Sequence, residues 1–203
     1  MAAREPIRKL TQQEYLEVER RAHFKSEFFD GEMFAMAGGT PHHSLIATNL
    51  AREFGNALKG RPCIPYNADL RVKIEATGLF TYPDLSVVCG PLEFAPGTDD
   101  TIINPTLIIE VLSDSTEAYD RGKKFEHYRQ IRSLKEYVLV SQKEPKMEIF
   151  TRQADDRWLL SEASDLEVKF EITSLGIAVS PAEVFANVKF VSNSIRTGLS
   201  PSR

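Results

Sequence analysis

Apolar and polar positions along the chain follow two periods, and the switches between them outline its elements. Tyr15, Leu16 and Val18 follow a Thr11–Glu14 capping box, which predicts a first helix running to about Ala22. Phe24 to Ala37 reads as a hairpin, with Glu27-Phe28-Phe29 on one arm, Asp30-Gly31 at the turn and Glu32 to Met36 on the other. After the Gly38-Gly39-Thr40-Pro41 break, helical spacing returns from about His42 to Leu58, with Leu45, Ile46, Asn49, Leu50 and Phe54 on one stripe. Three extended segments follow, Cys63 to Tyr66, Asp69 to Ile74 and Tyr82 to Cys89, and then a Gly/Pro/Asp-rich loop from Gly90 to Asp100.

The run Thr106 to Ser113 is the densest apolar stretch and reads as a strand buried on both faces. Ser115 to Arg132 is a charged amphipathic helix, and Tyr137 to Val140 a short strand; together they form a strand–helix–strand unit with a parallel crossover. Lys146 to Thr151, Trp158 to Glu162 and Leu166 to Phe170 alternate like an antiparallel meander, and Ser180-Pro181 opens a last short helix. One α/β domain over residues 1–188 is expected, with a polar, flexible tail over 189–203.

Glu110 interrupts this pattern. It shares a strand face with Ile108 and Leu112, where an ionised carboxylate is costly unless a metal or a cationic partner meets it. Asp84 follows Pro83 and opens the preceding apolar strand, so the two acids are expected on neighbouring strands. A pair of such carboxylates suits a hard divalent cation, Mg²⁺ or Mn²⁺, which takes oxygen ligands and keeps some waters. A turn aspartate and a structural ion pair are the bland readings of the same two residues.

On the following helix, Asp120, Lys124 and Tyr128 step along one face and Tyr119, Lys123 and His127 along another. A lysine from either set facing the acids would stabilise charge on a phosphate oxygen; a solvated Asp120–Lys124 pair is the alternative. His42 and His43 open the second helix, and Asp69 and Arg71 alternate on the strand before Asp84 as candidates to surround the site.

Composition narrows the rest. The 203 residues are 42% hydrophobic and 27% charged with a formal net charge of −4, which argues against a generally cationic nucleic-acid binder and leaves room for a local basic face. No apolar run approaches a membrane span, and the N-terminus lacks a signal-peptide core. Cys63 and Cys89 are too few and too far apart for a disulfide framework or a zinc site; reduced, buried thiols in a cytoplasmic protein are expected. No phosphate-binding glycine loop, dinucleotide fingerprint or Gly-x-Ser-x-Gly elbow occurs.

Pro83-Asp84, Glu110-Val-Leu-Ser113 and Asp120-Arg-Gly-Lys-Lys124-Phe-Glu-His-Tyr128, taken in order, resemble the Uma-two-like restriction endonuclease family of the PD-(D/E)XK nuclease superfamily. Glu27 with Asp30-Gly31-Glu32, His43 and Glu136-Tyr137 extend the resemblance over about Thr11 to Val188. It implies a restriction-endonuclease-like α/β core, a mixed central sheet flanked by helices, here with an N-terminal hairpin and the C-terminal meander. It casts Asp84, Glu110 and Glu27 as metal ligands, with His43 close by. The superfamily lysine expected two residues after the second acid is Leu112 here, and Lys124 matches the position the family uses on the following helix, with Lys123 adjacent.

The expected activity is Mg²⁺- or Mn²⁺-dependent hydrolysis of DNA by Asp84, Glu110, Lys124 and Glu27, with His43, Asp69, Arg71, Asp120 and Tyr128 around them. Arg121, Lys123, Arg129 and Arg132 are candidate phosphate contacts, and cutting both strands of a duplex favours a homodimer. The rival is a non-catalytic nucleic-acid or protein-binding module that keeps the fold.

Overall fold

The computed structural model describes residues 9–190. Helix α1 (Gln12–Glu19) leads into the hairpin β1 (Ser26–Phe29) and β2 (Glu32–Ala35), and α2 (Pro41–Ala57) follows. Strands β3 (Cys63–Asn67), β4 (Arg71–Ile74), β5 (Leu79–Thr81), β6 (Leu85–Cys89), β7 (Thr101–Ile102) and β8 (Leu107–Val111) come next. The helical segment after β8 is α3 (Glu117–Tyr119), a π-helical turn over Asp120–Lys124, and α4 (Phe125–Tyr128). Then come β9 (Glu136–Val140), β10 (Met147–Arg152), β11 (Trp158–Ala163), β12 (Phe170–Ile172), β13 (Ile177–Val179) and α5 (Pro181–Val184).

Six strands form the central sheet in the order β11-β10-β9-β8-β6-β3. Only β8 and β9 run parallel, as a crossover through a helix requires; every other pair in it is antiparallel. A second, five-stranded sheet, β2-β1-β5-β4-β7, carries the N-terminal hairpin.

Side-chain alternation along β8 explains the layering. Leu107, Ile109 and Val111 pack against Ile46, Leu50 and Phe54 of α2 and against the β12–β13 hairpin. Ile108 and Leu112 face the other way, onto Tyr128, Tyr137 and the five-stranded sheet's Val72, Ile74 and Leu79. Glu110 sits on that second face, as the run predicts. The capping box of α1 is present, with Thr11 accepting from the Glu14 amide and Glu14 from the Thr11 amide. Helix α1 lays Tyr15 on Phe28 and Phe80, ring centres 4.8 and 5.3 Å apart. Asp30 and Gly31 make the hairpin turn at φ 47° and 83°, a pair of left-handed positions that aspartate and glycine tolerate.

Several expectations are corrected. Cys63 and Cys89 are not reduced thiols; they form a disulfide. Their separation of 26 residues along the chain is no barrier, because β3 and β6 are antiparallel neighbours whose register sets Cys63 opposite Cys89, Cα atoms 4.0 Å apart. The cytoplasmic reading leaned on those thiols and loses that support.

The helix expected to reach Arg132 stops at Tyr128, where Arg152 of β10 donates to the carbonyls of Arg129 and Ile131 and closes the last turn. Leu166 to Phe170 does not extend the meander: Leu166 and Val168 are exposed, and β12 pairs with β13 in a separate hairpin. The turn of that hairpin is held by the buried Glu136 carboxylate, which accepts from the Thr173 and Ser174 amides at 3.1 Å each. Asp69 lies in a turn before β4, not on the strand with Arg71. Most of the expected tail, residues 191–203, lies outside the described residues; Phe190 packs against Phe185, ring centres 5.5 Å apart.

Candidate active site

A cleft of about 830 Å³ opens where the two sheets meet the helical segment after β8. At its floor, Lys124 is buried among three carboxylates. Its Nζ lies 2.8 Å from Glu110 Oε1, 3.2 Å from Glu27 Oε1 and 3.5 Å from Asp120 Oδ1. These residues come from a different element each, apart from Asp120 and Lys124, which begin and end the π-helical turn. Such turns occur often at functional positions because they re-aim side chains that a regular helix would stagger. Lys123, one position back, points to solvent and pairs with Glu126 at 2.9 Å, so the lysine that faces the acids is Lys124.

Each acid is also held by a hydroxyl or an amide. Tyr128 Oη donates to Glu110 Oε1 at 2.7 Å. Thr81 Oγ1 donates to Glu27. The register Leu85–Ile109 puts Asp84, one step further, beside Glu110, and Asp84 Oδ2 accepts from the Val111 amide at 2.7 Å. His43 Nε2 lies 3.3 Å from Asp84 Oδ2. His43 is placed there by Thr40, which caps α2 and accepts from the His43 amide at 3.1 Å.

One ammonium cannot neutralise the three carboxylates around it, two of them buried, and the proton affinities follow. Burial pushes Glu110 up to about 8 despite the opposing pull of Lys124, with Asp120 and Asp84 adding to the rise. Burial likewise raises Asp120. Burial alone would lower Lys124, but Glu110, Glu27 and Asp120 hold it well above the ordinary lysine range, so it stays cationic. The hydrogen bond and charge of Asp84 raise His43 against burial.

Asp84, Glu110 and Asp120 offer oxygen donors only, the chemistry a hard divalent cation takes. Asp120 Oδ1 is buried without a hydrogen-bond partner. Among the described residues no three or more acids, histidines or cysteines are grouped so as to hold a metal ion. A cation here would rest on two carboxylates, with water completing its shell.

Of the residues singled out in the sequence, Glu27, Asp84, Glu110, Lys124, His43, Asp120 and Tyr128 are brought together. Asp69 is not; it is exposed and pairs with Lys25. Arg71 is buried behind the site, bonded to Thr101 Oγ1 at 2.8 Å, Tyr82 Oη at 3.0 Å and Asp100 at 2.9 Å. Tyr82 passes the contact on, donating to Glu19 at 2.9 Å, and Glu19 accepts from the Ser26 amide next to Glu27. Thr81, Tyr82 and Glu19 escape sequence reading; their only signal is position, immediately before Pro83-Asp84 or at the end of an amphipathic helix.

The model of the family described as "Uma2: Putative restriction endonuclease" matches residues 12–181. Two proteins of Synechocystis are similar along almost their whole length. "Uncharacterized protein slr1290" is 38% identical over 91% of this chain and 96% of its own. "Uncharacterized protein sll1609" is 33% identical over 83% and 95%. A crystal structure of a "putative nuclease belonging to DUF820" from Anabaena variabilis superimposes with a TM-score of 0.71 at 17% identity, over 87% of this chain and 97% of that one. At that identity the likeness speaks for the fold, which is that of a restriction-endonuclease-like core. Among the described residues no helix is long and apolar enough to cross a membrane.

Proposed function

Because this chain belongs to the Uma2 restriction endonuclease family, we propose that its cleft hydrolyses phosphodiester bonds of DNA with the help of Mg²⁺ or Mn²⁺. The observation that carries the proposal is the buried Lys124 held among Glu27, Glu110 and Asp120, with Asp84 a single register step from Glu110. A surface ion pair has no need of such burial, and a purely structural buried pair has no need of two further acids around one lysine.

In this reading Asp84 and Glu110 would hold the cation, and Glu27 would hold a water of its shell. When bound, the cation supplies Lewis acidity toward the phosphate and toward water. Tyr128 and the Val111 amide fix the two carboxylates, and His43 orients Asp84 from the mouth of α2. Lys124, cationic throughout, donates to the phosphate oxygen on which negative charge grows. Water gives a proton to bulk solvent as its oxygen bonds to phosphorus; the ester P–O bond breaks, and the departing sugar oxygen takes a proton from solvent. A cytoplasmic location follows from the substrate.

A homodimer belongs to the same proposal. Among the described residues, strand β11 is an unpaired edge of the central sheet, with Leu159 and Leu160 exposed, whereas the opposite edge, β3, is interrupted by Pro65. Antiparallel pairing of two β11 strands obeys two-fold symmetry. Leu160→Lys is expected to give a monomer by light scattering.

The activity test is nicking of supercoiled plasmid with Mg²⁺ or Mn²⁺. Wild type should nick, and Asp84→Ala and Glu110→Ala should each lose at least about a hundredfold in rate. Nicking that survives in both variants would remove the site from consideration. A wild type inert on every nucleic acid would favour the binding module instead.

A further inference from the structure

The hairpin that delivers Glu27 also delivers an aromatic ring for which the chemistry above has no use. β1 and β2 pair with Glu27 directly opposite Phe34, so the two side chains stand on one face of the ribbon. Phe34 borders the cleft together with Glu27, Asp84, Glu110 and Lys124. It is 50% exposed and belongs to none of the three hydrophobic clusters, although its neighbour Met33 packs against Tyr15 and Phe28. Single exposed apolar residues are common. One placed across from an active-site acid, with its face left open, is not accounted for by packing.

The charges around the cleft sharpen the point. Lys143 at the rim is held 2.9 Å from both Asp114 and Glu117. Arg121 is held by Glu117 at 3.0 Å and by Glu148. Lys123 is held by Glu126, and Lys124 is buried. Proteins that grip duplex DNA do so largely through phosphate contacts from free cations, and the cations at this mouth already have acidic partners. Affinity must come from another source, and an open ring beside the reacting centre supplies one, since every base has a π-face to stack.

We propose that Phe34 is a stacking platform for an unpaired nucleobase next to the scissile phosphate, and that the substrate is DNA that is single-stranded or locally unpaired at the cleft. The inference rests on the phosphodiesterase reading and narrows it. A base in a closed duplex presents only its edge to the groove, so the ring of Phe34 has nothing to stack on until the pair opens.

The test measures binding by fluorescence anisotropy with the full-length protein in Ca²⁺, which replaces Mg²⁺ as the divalent ion, on three 20-mers of one sequence. These are single-stranded DNA carrying 2-aminopurine, the matching duplex, and RNA. Single-stranded DNA should bind at least tenfold tighter than duplex, with 2-aminopurine quenched. Phe34→Ala should weaken single-strand binding roughly 5- to 150-fold, abolish the quenching and leave duplex binding unchanged. Phe34→Trp should restore both signals. Phe24→Ala, at a ring still more exposed that does not border the cleft, should change neither.

Tighter binding of duplex, or single-strand affinity indifferent to Phe34→Ala, would overturn the inference. Preference for the RNA 20-mer would overturn its assignment to DNA. The two readings fail separately. Cleavage of duplex with unchanged KM and kcat in Phe34→Ala keeps the nuclease and removes the stacking site. Stacking through Phe34 with no cleavage of any strand keeps the stacking site and removes the nuclease.

Discussion

Glu110 shows how a single carboxylate sets the behaviour of the site. Its folded pKa of about 8 stands above the ordinary 4.5, so between those values the folded protein keeps a proton that the unfolded chain has released. The stability this group contributes is therefore full below about 4.5 and is lost as pH rises through 8. Urea unfolding without divalent ions should show stability declining across that window in wild type and a flatter profile in Glu110→Gln; the reverse slope would contradict the burial. Lys124 can be tested beside it. Lys124→Met removes the one ammonium among three carboxylates, two of them buried, and should cost about 3–5 kcal/mol, the usual penalty for breaking a buried pair. Lys124→Met combined with Glu110→Gln should cost less than the two single changes added together.

Glu110 is legible in the sequence because a charge inside an apolar strand contradicts the surrounding pattern, whereas an acid and a lysine four apart on the next helix also read as a solvated pair, and only the family resemblance points to Lys124. Phe34 is not legible in that way. Its exposure and its place opposite Glu27 depend on the register of a hairpin, and an alternating strand reads the same whichever face is buried.

Elements bounded by strong local signals come out where the pattern puts them. The capped helices α1 and α2, the Asp30-Gly31 hairpin and the β8–helix–β9 crossover are cases in point. Three-residue strands such as β5 and β13 are too short for any periodicity to emerge, although each forms a hairpin with the strand just before it. The disulfide is hidden for a different reason: only the antiparallel register of β3 against β6 brings Cys63 to Cys89.

That bridge lies at the end of β6 away from Asp84, on an edge strand. Reduction, or the Cys63→Ser/Cys89→Ser pair, is expected to lower unfolding free energy by about 2–4 kcal/mol, mainly by freeing the unfolded chain. Plasmid nicking at 25 °C should stay within a factor of two. Loss of nicking on reduction would mean that β3 supports the site more directly than its position indicates.

For the molecule as a whole, charge decides how it meets a polyanion. The formal net charge is −4, and the cations at the mouth of the cleft are paired with Asp114, Glu117, Glu126 and Glu148. Arg129 and Arg132, which the sequence offers as phosphate contacts, are exposed but do not border the cleft. Counterion release should accordingly be slight. If two or three of these cations exchanged their acids for phosphates, at roughly −0.7 per contact on a single strand, the plot of log K against log salt would have a slope of only roughly −1 to −2. The same titration on Phe34→Ala should give a weaker constant and an unchanged slope, because a stacked ring releases no counterions. A wild-type slope steeper than about −5 would reveal a broad cationic face. It would return Arg129 and Arg132 to the interface and shift the source of affinity from the bases to the backbone.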